Sequence, residues 1–216
     1  MTSAADAAHA RAHMVERQLR RRGISDERVL SAMADVPRER FVPESLAHLS
    51  YVDGALPIGH RQTISQPFVV GTICQLLELT GDERVLDVGT GSGYQAAVLS
   101  ELAAEVVTIE RIPELAEAAR LALEPYENVE ALVGDGSLGV PERAPFDAIA
   151  VAAAAPEVPP ALYAQLEEGG RLVLPRGTRS GQELVVIVRT RRGPRTERSI
   201  PVRFVPLLGD EGFADD

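Results

Sequence analysis

The apolar positions of this chain change period along its length. Residues 10–22 carry them at helical spacing, and Gly23 stops the run. Ser25-Asp26 supplies N-cap chemistry for a second helix through Met33, and Pro37 opens a short third one. Between residues 51 and 67 the pattern lapses. Gly54, Pro57 and Gly59 interrupt it, and Gln62-Thr63-Ile64-Ser65-Gln66-Pro67 follows. A loop of that length in a compact chain is usually functional or disordered. Residues 68–79 then form an apolar helix, which Gly81 ends.

From residue 84 onward, short buried-strand runs alternate with helical segments. Strands are expected at 84–88, 105–110, 129–133, 146–151 and 171–174, with helices at 94–103, 113–123 and 160–167. Two more strands, 183–189 and 199–205, flank an Arg-rich turn. This alternation predicts an α/β fold: a doubly wound, Rossmann-like, mostly parallel sheet with helices on both faces. An antiparallel C-terminal hairpin and a small helical N-terminal cap complete it. The expected division is a cap and substrate loop over 1–67 and a ligand-binding core over 68–216, one compact domain overall.

Composition narrows the chemistry. The 216 residues are 45% hydrophobic and 25% charged, which is ordinary for a globular chain long enough to bury a full core. No apolar run is long enough to span a membrane, and the Ala/Arg-rich start lacks the apolar segment of a secretory signal. One cysteine, Cys74, excludes an intrachain disulfide and any Cys-rich metal site. It falls on the apolar face of the 68–79 helix and reads as core. A cytoplasmic address follows as the default. All 22 basic residues are Arg, which removes lysine Schiff-base chemistry and the P-loop lysine. The net charge of −10 is uneven: residues 171–205 hold nine Arg against two acids, while the body is acidic. That argues against nucleic acid as the main partner. The run from Arg189 to Arg195 contains Gly193-Pro194 and reads as a solvated hairpin tip. Four scattered histidines (His9, His13, His48 and His60) give no metal cluster, although His9 and His13 have i,i+4 spacing.

The strongest motif is Val85-Leu86-Asp87-Val88-Gly89-Thr90-Gly91-Ser92-Gly93, where a strand turns into a helix. Glycines there let a ligand approach the backbone at the carboxyl ends of the strands. The spacing is G-x-G-x-G, not the G-x-G-x-x-G of a dinucleotide fold. Asp87 would repel a pyrophosphate and favour a ligand carrying an ammonium and a sulfonium. Glu110, at the end of the next strand, can accept both hydroxyls of a ribose. Asp135, in Val133-Gly134-Asp135-Gly136, stands where it could meet an adenine amino group. The competing account is that these glycines only turn and these acids only cap helices. Three acids at three successive strand ends weigh against it.

These residues resemble the first motif of class I S-adenosylmethionine-dependent methyltransferases. From about residue 14 to 209 the chain is similar to the bacterial protein-L-isoaspartate O-methyltransferase family. The resemblance includes Val36-Pro37-Arg38-Glu39-Arg40-Phe41-Val42, Ala55-Leu56-Pro57-Ile58-Gly59, Ala153-Ala154-Ala155-Pro156, Gly169-Gly170-Arg171-Leu172-Val173-Leu174-Pro175 and Phe204-Val205-Pro206-Leu207. Many methyltransferases share the glycine loop; Thr63-Ile64-Ser65-Gln66-Pro67 is close to diagnostic for this family. Arg176 and the short acidic tail after Gly209 depart from the family pattern.

The resemblance implies S-adenosylmethionine as methyl donor and S-adenosylhomocysteine as product. The acceptor it implies is the free α-carboxylate of an isoaspartyl residue in a damaged protein or peptide. Ser65 is the expected catalytic contact, with Thr63, Ile64 and Ser65 binding substrate. The cofactor would be bound by Ile64, Ser65, Gln66, Asp87, Val88, Gly89, Thr90, Gly91, Gly93, Glu110, Arg111, Asp135 and Gly136. No metal, no membrane and a monomeric state are expected. A carboxylate of pKa about 3.5 is already ionised at neutral pH, so no general base is needed. The rivals are Ser65 as a nucleophile with His60 as base, and plain turn chemistry for Thr63 and Ser65. For the whole chain they are methylation of ordinary Asp in a dedicated protein, a non-catalytic S-adenosylmethionine-binding module, and an NAD-dependent oxidoreductase on the same sheet.

Overall fold

The structure, a computed structural model, describes residues 4–214. The first helix, α1 (Ala4–Met14), starts earlier than its apolar pattern suggests. It passes through a π turn at Val15–Leu19 and a 3-10 turn at Arg20–Arg22 before Gly23 stops it at φ 102°. Met14 and Leu19, both wholly buried, are five residues apart. A 3.6-residue period would splay them by about 140°, and the wider π winding reduces that divergence. Helix α2 (Glu27–Asp35) is capped as its sequence predicts, the Asp26 carboxylate accepting from the Arg28 and Val29 amides.

The stretch expected to be a loop contains a small hairpin, β1 (Leu56–Gly59) with β2 (Gln62–Ile64), pairing Leu56 with Ile64 and Pro57 with Thr63. His60 and Arg61 turn it, at φ 50° and 60°. Asn-Gly or Asp-Gly is the usual signal for such a turn, and two bulky residues there hide it from pattern reading. Helix α3 (Pro67–Leu77) follows, with Pro67 in its first turn.

A seven-stranded sheet forms the centre. Its strands are β3 (Arg84–Val88), β4 (Glu105–Glu110), β5 (Val129–Val133), β6 (Phe146–Val151), β7 (Leu166–Gly177), β8 (Gln182–Thr190) and β9 (Gly193–Val202). Their spatial order is β5-β4-β3-β6-β7-β8-β9. Pairing is parallel from β5 through β7 and antiparallel from β7 through β9. Helices α4 (Tyr94–Ser100), α5 (Pro113–Leu123) and α6 (Pro160–Gln165) sit in the crossovers.

The period of two sorts each strand onto both faces. Val85, Val106, Ala148, Val173 and Val186 pack with apolar residues of α2 to α5. Leu86, Val107, Ile149, Leu172 and Val185 pack on the other face with Val140, Leu162 of α6 and Leu207. The doubly wound architecture with an antiparallel C-terminal hairpin and helical N-terminal segment is therefore observed. Helix α6 ends two residues early, because the chain is recruited into β7 at Leu166 and pairs with Phe146. Gly169-Gly170 lies inside that strand; a side chain at Gly170 would come within 2.7 Å of the Asp147 carbonyl oxygen. The Arg-rich stretch is a hairpin whose tip is Arg191-Arg192, as expected. The chain then returns across the strand ends, held by Ala154 donating to the Val205 carbonyl (2.8 Å) and Leu207 to the Ala154 carbonyl (2.7 Å). Among the described residues no helix is long and apolar enough to cross a membrane.

Candidate active site

The turn after β3 is built by three glycines at positive φ, Gly89 (91°), Gly91 (53°) and Gly93 (89°), a conformation that costs an L side chain strain. It anchors to the neighbouring strand, the Gly89 amide donating to the Ile109 carbonyl at 2.9 Å. The Glu110 carboxylate, nearly buried, accepts from the Gly91 amide (2.9 Å) and the Ile112 amide (3.0 Å). Each oxygen keeps a further lone pair, so the carboxylate is fixed by backbone and still able to accept from a diol. A cavity opens above this turn, walled by Val88, Ile109 and Ile112 as apolar surface and closed by the returning segment at 205–208. Gly136 forms part of its rim; a Cβ there would meet Val88 Cγ1 at 2.7 Å.

Asp87 lies one side chain behind the wall. It is fully buried, one oxygen accepting from Gln95 Nε2 (2.8 Å) and the other from Thr108 Oγ1 (2.9 Å). Burial pushes its carboxyl up to about 6, against the hydrogen bonds from Gln95 and Thr108, and the Glu110 charge adds to the rise. Because Thr108 spends its proton on Asp87, Thr90 must donate to Thr108 across their 2.6 Å contact. Thr90 and Gln95 both line the cavity, so the acid reaches it through them. Gln95 Oε1 is buried with no donor among the described residues. An unsatisfied acceptor on a side chain that lines the cavity, beside a buried acid, is suited to a ligand ammonium.

The Ser65 turn separates this cavity from a second cleft of about 480 Å³, lined by Arg22, Phe68, Arg203 and Phe204. Thr63, Ser65, Ala152 and Val205 line both spaces. Arg38, fully buried, donates to the Ser65 carbonyl at 2.8 Å and so fixes the turn from behind. Gln66 faces the cleft, its Nε2 donating to Asp53 at 2.6 Å, and Asp53 also pairs with Arg22 at 3.0 Å.

Of the cofactor positions expected from sequence, Ile64, Ser65, Val88, Gly89 and Thr90 line the cavity, as do Gly91, Glu110, Arg111 and Gly136. Gln66, Asp87, Gly93 and Asp135 do not line it. Gly93 starts α4, and its missing side chain lets Leu123 approach, where a Cβ would sit 3.1 Å away. Asp135 points at the C-terminal segment, accepting from Ser137 N (2.9 Å), Ser137 Oγ (2.7 Å) and Asp210 N (2.8 Å). His60 is exposed on the hairpin turn and lines neither space, and Cys74 is buried in the core. Sequence reasoning missed Gln95 and Leu208 in the wall, and the Arg22 and Arg203 side of the cleft. Gln95 had a legible signal, since it follows the glycine loop by one short step into α4.

Comparison with known proteins gives the same reading. The family described as Protein-L-isoaspartate(D-aspartate) O-methyltransferase (PCMT) matches residues 9–212. Protein-L-isoaspartate O-methyltransferase of Methanoculleus marisnigri is 52% identical over 94% of this chain and 93% of its own. A Marinobacter nauticus relative, Protein-L-isoaspartate O-methyltransferase 2, is 55% identical over 96% and 97%. Among solved structures, a Plasmodium falciparum beta-aspartate methyltransferase in complex with S-adenosyl-L-homocysteine superposes with a TM-score of 0.78 at 26% identity, covering 92% of this chain and 98% of that one. The chain therefore belongs to the protein-L-isoaspartate(D-aspartate) O-methyltransferase family.

Proposed function

We propose that this protein transfers the methyl group of S-adenosylmethionine to the free α-carboxylate of L-isoaspartyl residues in proteins and peptides, which starts their repair through succinimide. The observation that carries the reading is the meeting of two spaces, the glycine-loop cavity and the Arg-flanked cleft, at Thr63 and Ser65. Gln95 Oε1, the unpartnered buried acceptor, is the feature that fits the cavity to a ligand with an ammonium group. The cofactor, when bound, supplies an electrophilic methyl on a sulfonium. Glu110 would take the ribose hydroxyls, Gln95 and Thr90 the amino-acid end, and Val88, Ile109 and Ile112 the flat apolar part.

Ser65 would hold the substrate carboxylate by a charge-assisted hydrogen bond, with Thr63 beside it. Neither space is lined by His or Cys, and none is required for a nucleophile that is already ionised. What remains for the protein is positioning and exclusion of water. Residues 1–67 would act as cap and substrate loop on the 68–216 core, in a monomeric, cytoplasmic enzyme without a nucleic-acid partner. The test is tritiated S-adenosylmethionine offered with an isoaspartyl peptide and its Asp twin. The isoaspartyl form should be methylated with far higher kcat/KM and convert progressively to Asp, releasing more than one methanol per peptide repaired. Equal kcat/KM for the two would hand the function to ordinary Asp methylation.

A further inference from the structure

Among the described residues Arg38 heads the wholly buried side chains by size, and it lines neither the cavity nor the cleft. Its Nε donates to the Ser50 carbonyl and its Nη2 to the Ser65 carbonyl, each at 2.8 Å. The guanidinium carbon stands 4.8 Å from the centre of the Tyr94 ring, itself a wall of the glycine-loop cavity. Nη1 has no acceptor within hydrogen-bond distance among the described residues. Among the described residues Arg38 makes no ion pair. The neighbouring carboxylate, Glu39, turns away to the Tyr51 hydroxyl and Arg11.

A buried cation without a counter-ion is costly to a fold, and an apolar side chain of similar volume would fill the space more cheaply. The anion that the reaction brings to this place is the substrate carboxylate. We propose that Arg38 is a positioning residue for that carboxylate: through the Ser65 carbonyl it sets the Ser65 turn, and it places an uncompensated positive charge behind the point where the carboxylate docks. The proposal rests on the reading of Ser65 as the carboxylate contact.

A double-mutant cycle on the full chain tests it, using Arg38→Gln, Ser65→Ala and both together, with Arg38→Lys alongside. Three quantities are read: kcat/KM for an isoaspartyl peptide, S-adenosylhomocysteine affinity by calorimetry, and the thermal midpoint. Arg38→Gln should lower kcat/KM by about 10- to 100-fold, mainly through KM, with S-adenosylhomocysteine affinity held within about threefold. Ser65→Ala should cost at least about tenfold in the native background and less than about threefold beside Arg38→Gln, since its hydroxyl is then already misplaced. Arg38→Lys keeps the charge but lacks the fork, and should recover part of the lost KM. If the two single losses multiply, Arg38 acts independently of Ser65 and the proposal is overturned. It is overturned equally if S-adenosylhomocysteine affinity falls in step with kcat/KM, which is the mark of a merely structural role. A silent Ser65→Ala would instead sink the Ser65 reading and this proposal with it, whereas a multiplicative cycle with an active Ser65→Ala sinks this proposal alone. Should Arg38→Gln fail to fold, the same cycle run with Arg38→Lys decides.

Discussion

Replacing Asp87 with Asn is expected to make the protein more stable at neutral pH while weakening its hold on the cofactor. In the fold the carboxyl titrates near 6, against an ordinary value of 3.8. The folded state therefore takes up the proton more readily than the unfolded chain. Ionising Asp87 at pH 7 costs the fold about 3 kcal/mol, and between pH 7 and 5 about 1 kcal/mol of that is regained. Below about pH 3 both states are protonated and the contribution is flat. Asn removes the charge with little loss of bonding. Gln95 Nε2 still has an oxygen to donate to, and the amide can donate to Thr108, which reverses the Thr108–Thr90 hydrogen bond. Urea melts at pH 7 and 5 should show the acid-side gain in the native protein and not in the variant. Binding should run the other way. A ligand ammonium beside Gln95 favours ionised Asp87, so S-adenosylhomocysteine affinity should fall as pH drops through about 6 in the native protein only. At pH 8 the variant should bind more weakly by about 1–2 kcal/mol, the scale of one charge acting through an intervening side chain. A variant that keeps both pH slopes would refute the assignment of the buried charge to Asp87.

Four further outcomes are expected. Glu110→Ala strands the Gly91 and Ile112 amides as well as the ribose, and should raise the S-adenosylhomocysteine Kd by about 5- to 150-fold in calorimetry, the equivalent of 1–3 kcal/mol. Ser65→Ala should lower peptide kcat/KM by about 10- to 150-fold with cofactor affinity within a few-fold; a loss beyond about a millionfold would point to a covalent role. Gly209→Ala puts a Cβ 2.1 Å from Asp135 Oδ1 and 2.5 Å from Ser137 Oγ, so it should loosen the segment that closes the cavity. Faster S-adenosylhomocysteine release in stopped flow, with the core melt little changed, is the expected signature, and unchanged release would show that this segment does not gate the cavity. At saturating cofactor, His60→Ala should leave the rate and its flat profile between pH 6 and 7 intact; an ascending limb in that range that disappears in the variant would restore a general base.

The parts of the fold legible in sequence are those whose physics is local. Buried parallel strands read as apolar runs at Arg84–Val88 and Glu105–Glu110, Asp26 announced its own helix, and the glycine loop fell where its dihedral angles require. What escaped depends on partners distant in sequence. The β1–β2 hairpin carries no turn signature at His60-Arg61, and Leu166 becomes strand only because Phe146 lies beside it. The same divide runs through the site. Glu110 could be placed from spacing, since the end of a strand next to the glycine loop has one position to offer. Asp135 could not. Its strand end matches the expected pattern, but the residues that claim its carboxylate include Asp210, 75 positions away. Leu208 and Arg203 reach the site by the return of the chain after β9, which no periodicity encodes.

The distribution of charge around Ser65 explains why an enzyme without lysine or a usable histidine can serve this chemistry. On the cavity side stand two acids, Glu110 in the wall and Asp87 behind it, with Arg111 also in the lining. On the cleft side stand arginines, Arg203, Arg22 paired with Asp53, and Arg38 behind the Ser65 turn. A sulfonium and a carboxylate would thus each be drawn to their own half, and the two halves meet at Thr63, Ser65, Ala152 and Val205. In the transition state those charges cancel, which water would oppose and a largely apolar, covered cavity opposes less. Arg rather than Lys suits the arrangement, because a guanidinium stays charged when buried where an ammonium would tend to lose its proton. The absence of lysine therefore costs the enzyme no catalytic group.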